Sequence, residues 1–174
     1  MSVEKVFPPF WRRLAAIAYE SLPVLAIIIG VGFLFIGLAE LVFGNAGRLP
    51  KAHRVALFIC WYAAIGAYFI FCWRRGQTLP MRAWRLRLAT PSGAPVPVRN
   101  VLARFAMGSA AWCTAIFALM WIREHTDSFI GWACLAPVVI ACGWALFDRN
   151  HQTLYDKLAG TELILEAPAR RAGR

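Results

Sequence analysis

The sequence predicts an all-α membrane protein, a bundle of four spans built from two related hairpins, with a short amphipathic or β-like segment after each. Three observations predict it. Of 174 residues, 60% are hydrophobic and 16% charged, whereas roughly a quarter of an ordinary soluble domain is charged. Four apolar stretches, Leu22–Phe43, Val55–Trp73, Val101–Ile122 and Phe129–Phe147, match the ~20 residues that cross about 30 Å of hydrocarbon. A polar phrase also recurs: Gln77-Thr78-Leu79 and Gln152-Thr153-Leu154 lie 75 residues apart, each after a long apolar run. Only short connections and tails remain, so residues 1–174 read as one membrane domain.

The first helix is expected to begin near Phe10, before its apolar core, and to span about 12–43 with Arg12 and Arg13 among the headgroups. Its apolar run of 22 residues exceeds the roughly 7–15 of a signal-peptide core, and no small-x-small cleavage site follows, so it reads as a retained span. Pro23 removes a donor to the Tyr19 carbonyl and should kink the helix. Gly44-Asn45-Ala46-Gly47 closes the span with turn residues. In the second span, about 55–73, Ala63-x-x-x-Ala67 has the small-residue spacing of a close helix contact. Trp11, Trp73 and Trp121 fall near span ends, as an aromatic belt requires.

Trp84-Arg85-Leu86-Arg87-Leu88 then alternates with period 2, both arginines on one face, and Thr90-Pro91-Ser92-Gly93-Ala94-Pro95 reads as a turn. The third and fourth spans occupy about 101–122 and 129–147. Beyond the second Gln-Thr-Leu, Glu162-Leu163-Ile164-Leu165-Glu166 is again β-prone. The 75-residue offset superposes the second span on the fourth and Leu88 on Leu163. The two β-prone segments are therefore expected to pair as a small ribbon, in a parallel repeat about an axis along the membrane normal.

Charge sets the expected topology. Of the 19 lysines and arginines, all but Arg48, Lys51, Arg54 and Arg123 lie in the N-terminal segment, the central segment or the C-terminal tail. Those three segments should be cytoplasmic, with the net charge of +10 turned toward anionic headgroups. The cations line the bases of spans and form no groove, which argues against nucleic acid. Cys60, Cys72, Cys113, Cys134 and Cys142 lie in spans without a C-x-x-C pair and read as small buried hydrophobes. His53, His125 and His151 are isolated at loops or interfaces, which makes a poor metal site. No H-E-x-x-H, G-x-S-x-G or P-loop pattern occurs, so no enzyme and no cofactor is expected.

Three phrases together resemble the RDD family of bacterial membrane proteins: Phe10-Trp11-Arg12-Arg13-Leu14-Ala15-Ala16, Gly76-Gln77-Thr78-Leu79, and Gln152-Thr153-Leu154-Tyr155-Asp156-Lys157-Leu158-Ala159-Gly160-Thr161. The resemblance covers about residues 10–165, and the last phrase is the most specific. The family's arginine maps onto Arg12 or Arg13, preferably Arg13, and its second aspartate onto Asp156. Its first aspartate maps onto Glu20, a departure that keeps the carboxylate. Pro80 stands where the family has glycine. The resemblance implies a bacterial inner-membrane protein for which transport, including cation–proton exchange, is the proposed activity.

The residues themselves leave two roles open. Glu20 lies seven residues after Arg13, so both project from one helix face about 10 Å apart. An ionisable group inside a span usually faces the bundle interior and a partner, which suits a proton or cation site with Arg13 as charge partner and Asp156 as gate or anchor. The other reading is a structural network of Arg13, Glu20, Arg104 and Asp156 that locks helix ends, with Arg12 and Asp148 in support. Asp156 also fits a capping box with Thr153, and Gly160 a helix stop. Arg104 can either snorkel or meet Glu20. Glu40 reads as a solvated carboxylate. Four spans leave little room for a path in one copy, so a transporter is expected to form a homo-oligomer or join a membrane-protein partner. The alternative is an accessory or scaffold subunit.

Overall fold

The computed structural model describes residues 6–44, 50–125, 129–148 and 152–166. The expected turn at Asn45–Gly47, together with Lys5, Arg48, Arg149, His151, the C-terminal arginines and the Cys142 side chain, lies outside the described residues.

Among the described residues six helices and two strands follow in order: α1 (Phe10–Phe43), α2 (Lys51–Arg74), α3 (Leu79–Ala83), β1 (Leu86–Ala89), α4 (Val98–Glu124), α5 (Phe129–Phe147), α6 (Leu154–Leu158) and β2 (Glu162–Leu165). Prolines set three of the starts. Pro9, Pro50 and Pro97 are the N-cap residues of α1, α2 and α4, where a missing N–H costs no intrahelical bond. Three helices, α1, α2 and α4, are long and apolar enough to cross a bilayer. α5 is a further apolar helix of 19 residues and contains Pro137.

The helices run α1 beside α2, α2 beside α4, and α4 beside α5. Glycines lie at two of these approaches, and at Gly66 the fit is too close for an ordinary Cβ contact. A Cβ at Gly32 would lie 3.5 Å from the Trp61 ring, whose Nε1 donates to Ile28 O at 3.0 Å. One at Gly66 would lie 3.2 Å from the Phe105 ring. The second span's tight contact is therefore at Gly66, while Ala63 and Ala67 are exposed. Along the spans the large side chains point outward: Phe33 and Leu41 are each 83% exposed, as surfaces meant for lipid must be.

The packed core lies at one end of the bundle. Ala16, Trp73, Met81, Leu86, Leu88, Val96, Val101 and Leu163 form a single buried cluster, with Phe69, Ile70, Trp84 and Phe105 against it. Trp73, expected in an aromatic belt, belongs instead to this core, its ring 4.7 Å from Phe69. Trp11 is exposed.

A two-stranded antiparallel ribbon closes this end, with Leu86 opposite Leu165 and Leu88 opposite Leu163. The expected alternation begins two residues late. Arg85 adopts φ 55°, so the strand starts at Leu86, and Leu86 and Leu88 turn into the core while Arg87 stays exposed. Leu165 N donates to Val6 O and Glu166 N to Arg85 O, both at 2.8 Å, which ties the N-terminal segment to the ribbon.

Each Gln-Thr-Leu phrase opens a one-turn helix that leads into one of these strands. Thr78 is the N-cap of α3, its hydroxyl accepting from Met81 N, and Thr153 is the N-cap of α6. Pro80 fits without penalty because it falls in the first turn of α3.

Directly opposed side chains in an antiparallel pair sit about 5 Å apart at Cβ, within reach of a disulfide. In a background without native cysteines, Leu88→Cys with Leu163→Cys should cross-link on mild oxidation, seen as a non-reducing gel shift. Leu88→Cys with Ile164→Cys, on opposite faces of the ribbon, should not.

Candidate functional site

Two carboxylates lie at the capped end, Asp156 buried and Glu20 half-buried, and the structure gives them different surroundings. Asp156 is 0% exposed. It lies in the single turn of α6, where Thr153 and Asp156 stand in capping-box relation and Asp156 Oδ2 accepts from Thr153 N at 3.4 Å. The same oxygen pairs with Arg13 Nη1 of α1 at 3.1 Å. The other carboxylate oxygen pairs with Arg104 Nη1 of α4. Capping and interhelical pairing, alternatives from sequence alone, are both made by one side chain.

The arginines are held in turn. Arg104 is 4% exposed, its guanidinium 5.1 Å from the Trp73 ring centre and 5.2 Å from that of Tyr155. Its Nη1 also donates to Thr161 Oγ1 at 3.0 Å. Arg104 therefore neither snorkels nor meets Glu20. Arg13, 3% exposed, donates from Nη2 to Leu163 O of β2 at 3.3 Å. One carboxylate thus joins α1, α4, α6 and the ribbon. Gly160, at φ 61°, follows α6 after the C-cap Ala159 and accepts from Asn100 Nδ2 at 3.3 Å. The left-handed turn there needs glycine, and a Cβ would stand 3.0 Å from that nitrogen.

Glu20 forms a separate site. Its Oε1 accepts from Tyr68 Oη of α2 at 2.9 Å and its Oε2 from Thr78 Oγ1 at 2.8 Å. Thr78 is 1% exposed, and its one hydroxyl both caps α3 and serves Glu20. The expected Arg13–Glu20 pair is replaced by these two hydroxyls, because Arg13 turns toward Asp156. Carboxylate, phenol and hydroxyl from three elements make an all-oxygen set able to carry a proton or to meet a hard cation.

The supporting residues divide between the two sites and the surface. Asp148 pairs with Lys157 and accepts from Gln152 N at 3.1 Å. Gln152 and Thr153 are buried. Gln77 Nε2 donates to Leu86 O at 3.1 Å and to Glu166 Oε2 at 2.9 Å, which fastens the first phrase to the ribbon. Arg12 stands beside Trp11 at 5.2 Å and joins neither carboxylate. Glu40 is exposed. His53 packs edge-on to Phe43, and His125 stacks on Trp121. Among the described residues no group of three or more His, Cys, Asp or Glu can hold a metal ion.

Sequence reasoning passed over Tyr68, Thr161 and Tyr155. Tyr68 carried a usable signal, as a phenol in an apolar span must find a polar partner. Thr161 and Tyr155 gave none, since their roles depend on where Arg104 arrives.

Apolar spanning helices closed at one end by a buried Arg–Asp–Arg cluster define an integral membrane protein with an ionic latch. Residues 7–160 match the model of the RDD family, and the chain belongs to that family. No curated protein and no solved structure matches it.

The two carboxylates should respond differently to neutralisation. Removing one partner of a buried pair typically costs about 3–5 kcal/mol because the remaining charge stays buried, so Asp156→Asn should lower thermal stability in detergent by about that much. Glu20→Gln, which keeps a side-chain oxygen for a hydroxyl to donate to and breaks no ion pair, should cost about 1 kcal/mol. Equal losses would contradict the division into latch and separate site.

Proposed function

We propose that this RDD-family protein acts as, or within, a transporter of a small ion or solute in the bacterial inner membrane, with Glu20 as the group that takes up a proton or cation. One observation carries the reading: Glu20, within an apolar helix, is held by the hydroxyls of Tyr68 and Thr78 and, among the described residues, by no cation. Such a carboxylate has no counter-charge when ionised, and uptake of a proton or a cation would supply one. No catalytic chemistry is assigned to it. The bundle has four spans, α5 being the fourth, and both termini are cytoplasmic, since the basic residues gather at the capped end. Its halves are a parallel pseudo-repeat, supported by α6 lying 75 residues after α3 and by both threonine caps. The translocation path requires a second copy or a partner protein.

A second reading, an accessory or scaffold subunit, is favoured by Asp156. The best-built polar cluster in the molecule fastens helices together, and it draws Arg13 away from Glu20.

Cation-driven proton flux in proteoliposomes separates the two. The transport reading expects flux from the wild type that Glu20→Gln abolishes at unchanged protein incorporation. Flux indifferent to that substitution removes Glu20 from the mechanism, and no flux at all with intact folding favours the scaffold.

A further inference from the structure

Beside the ribbon, a recess of about 120 Å³ is lined by Arg74, Arg75 and Arg87, with Gly76 and the 93–96 turn forming its walls. All three arginines are exposed, and among the described residues no carboxylate lines the recess and none of the three is ion-paired. Such like charges repel and would normally splay apart, but here the backbone gathers them. Gly76, at φ 85°, turns the chain out of α2, and Leu88 N donates to its carbonyl at 2.7 Å. That bond draws β1 against the end of α2. The Arg87 side chain lies beside this turn, its Nε 3.5 Å from where a Cβ on Gly76 would stand. Arg75 is oriented by Phe71, its guanidinium 4.0 Å from the ring centre.

We infer that this recess is a phosphate-binding site. Guanidinium forks match phosphate oxygens in pairs and bind them more specifically than point charges do. Three unpaired forks around one concavity at the end of a spanning helix are suited to a phospholipid headgroup or to a free phosphate group. The site shares no residue with Glu20 or the Asp156 latch. Its existence does not depend on the transport reading; only the headgroup source depends on this end of the bundle facing the anionic leaflet.

The test uses the full chain purified in a zwitterionic detergent and titrated calorimetrically with two probes, dihexanoyl phosphatidic acid and inorganic phosphate. A basic residue near an anionic surface contributes about fivefold in binding. Saturable binding that weakens about fivefold in Arg87→Gln and further in Arg74→Gln/Arg75→Gln, but holds in Arg82→Gln and Arg99→Gln, supports the site. Ala94→Glu, which places a carboxylate at the wall without removing an arginine, should also weaken it. Binding of the lipid alone identifies a headgroup site, and equal binding of inorganic phosphate identifies a soluble one. Absence of saturable binding by either probe overturns the inference. So does Arg87→Gln binding as the wild type does, or Arg99→Gln losing as much as Arg87→Gln.

Discussion

The carboxylate of Asp156, with no exposed surface and an arginine on each oxygen, is the constraint on which the rest of the structure depends. Burying three charges is unfavourable unless every one is matched, so the geometry of this cluster has little freedom. Arg13 must come in from the first turn of α1 and Arg104 from the second turn of α4. The turn of α6 must present Asp156 between them. Once those positions are set, Arg13 reaches the carbonyl of Leu163, β2 is placed, and β1 pairs with it. The core of Leu86, Leu88 and Leu163 then closes over Trp73. That core fixes α3, and with it the threonine hydroxyl that Glu20 uses.

Such a device is needed because lipid gives helices little reason to choose one another. Hydrocarbon chains solvate leucine as well as another helix does, so association rests on close packing and polar contacts. This bundle has some of both within its spans, at Gly32 against Trp61, Gly66 against Phe105, and Tyr62 with Ser109. Its densest packing, however, lies at the capped end, where chain segments outside the spans supply side chains that can be sequestered from both lipid and water. The apolar helices confer membrane residence, and the cap confers arrangement.

The three long apolar helices α1, α2 and α4 were legible because length and the scarcity of charge suffice to find a helix that faces lipid, and the further apolar helix α5 begins and ends where its apolar run does. The ribbon was legible from two β-prone runs and from the 75-residue offset of the recurring phrase, which sets Leu88 against Leu163. The phrase around Asp156 marked the right residue, but its two arginines were not assignable. Arg13 and Glu20 share a helix face, and helical spacing alone makes them look like partners. Only the arrival of α6 decides otherwise, and that is a contact 143 residues distant. Trp73 was misplaced for a related reason. A tryptophan at a span end fits a belt or a core equally well until something covers it, and here Arg104 does. Arg85 delays the start of the alternation because its left-handed backbone is set by the turn after α3, which composition does not reveal.

The repeated Gln-Thr-Leu phrase takes on a physical meaning in this light. In both copies the threonine starts a one-turn helix, and in both a carboxylate is beside it: half-buried Glu20 at Thr78 through the hydroxyl, buried Asp156 at Thr153 through the backbone. The similarity is one of scaffolding. The difference is charge, since only Asp156 is matched by arginines. The most direct test of that account is a double-mutant cycle between Arg104→Gln and Asp156→Asn, read as unfolding free energy in detergent. If Asp156 is the latch, the two changes should be strongly non-additive, with a coupling of about 2–3 kcal/mol. Additivity within about 0.5 kcal/mol would show that the pair holds nothing together, and the account would fail.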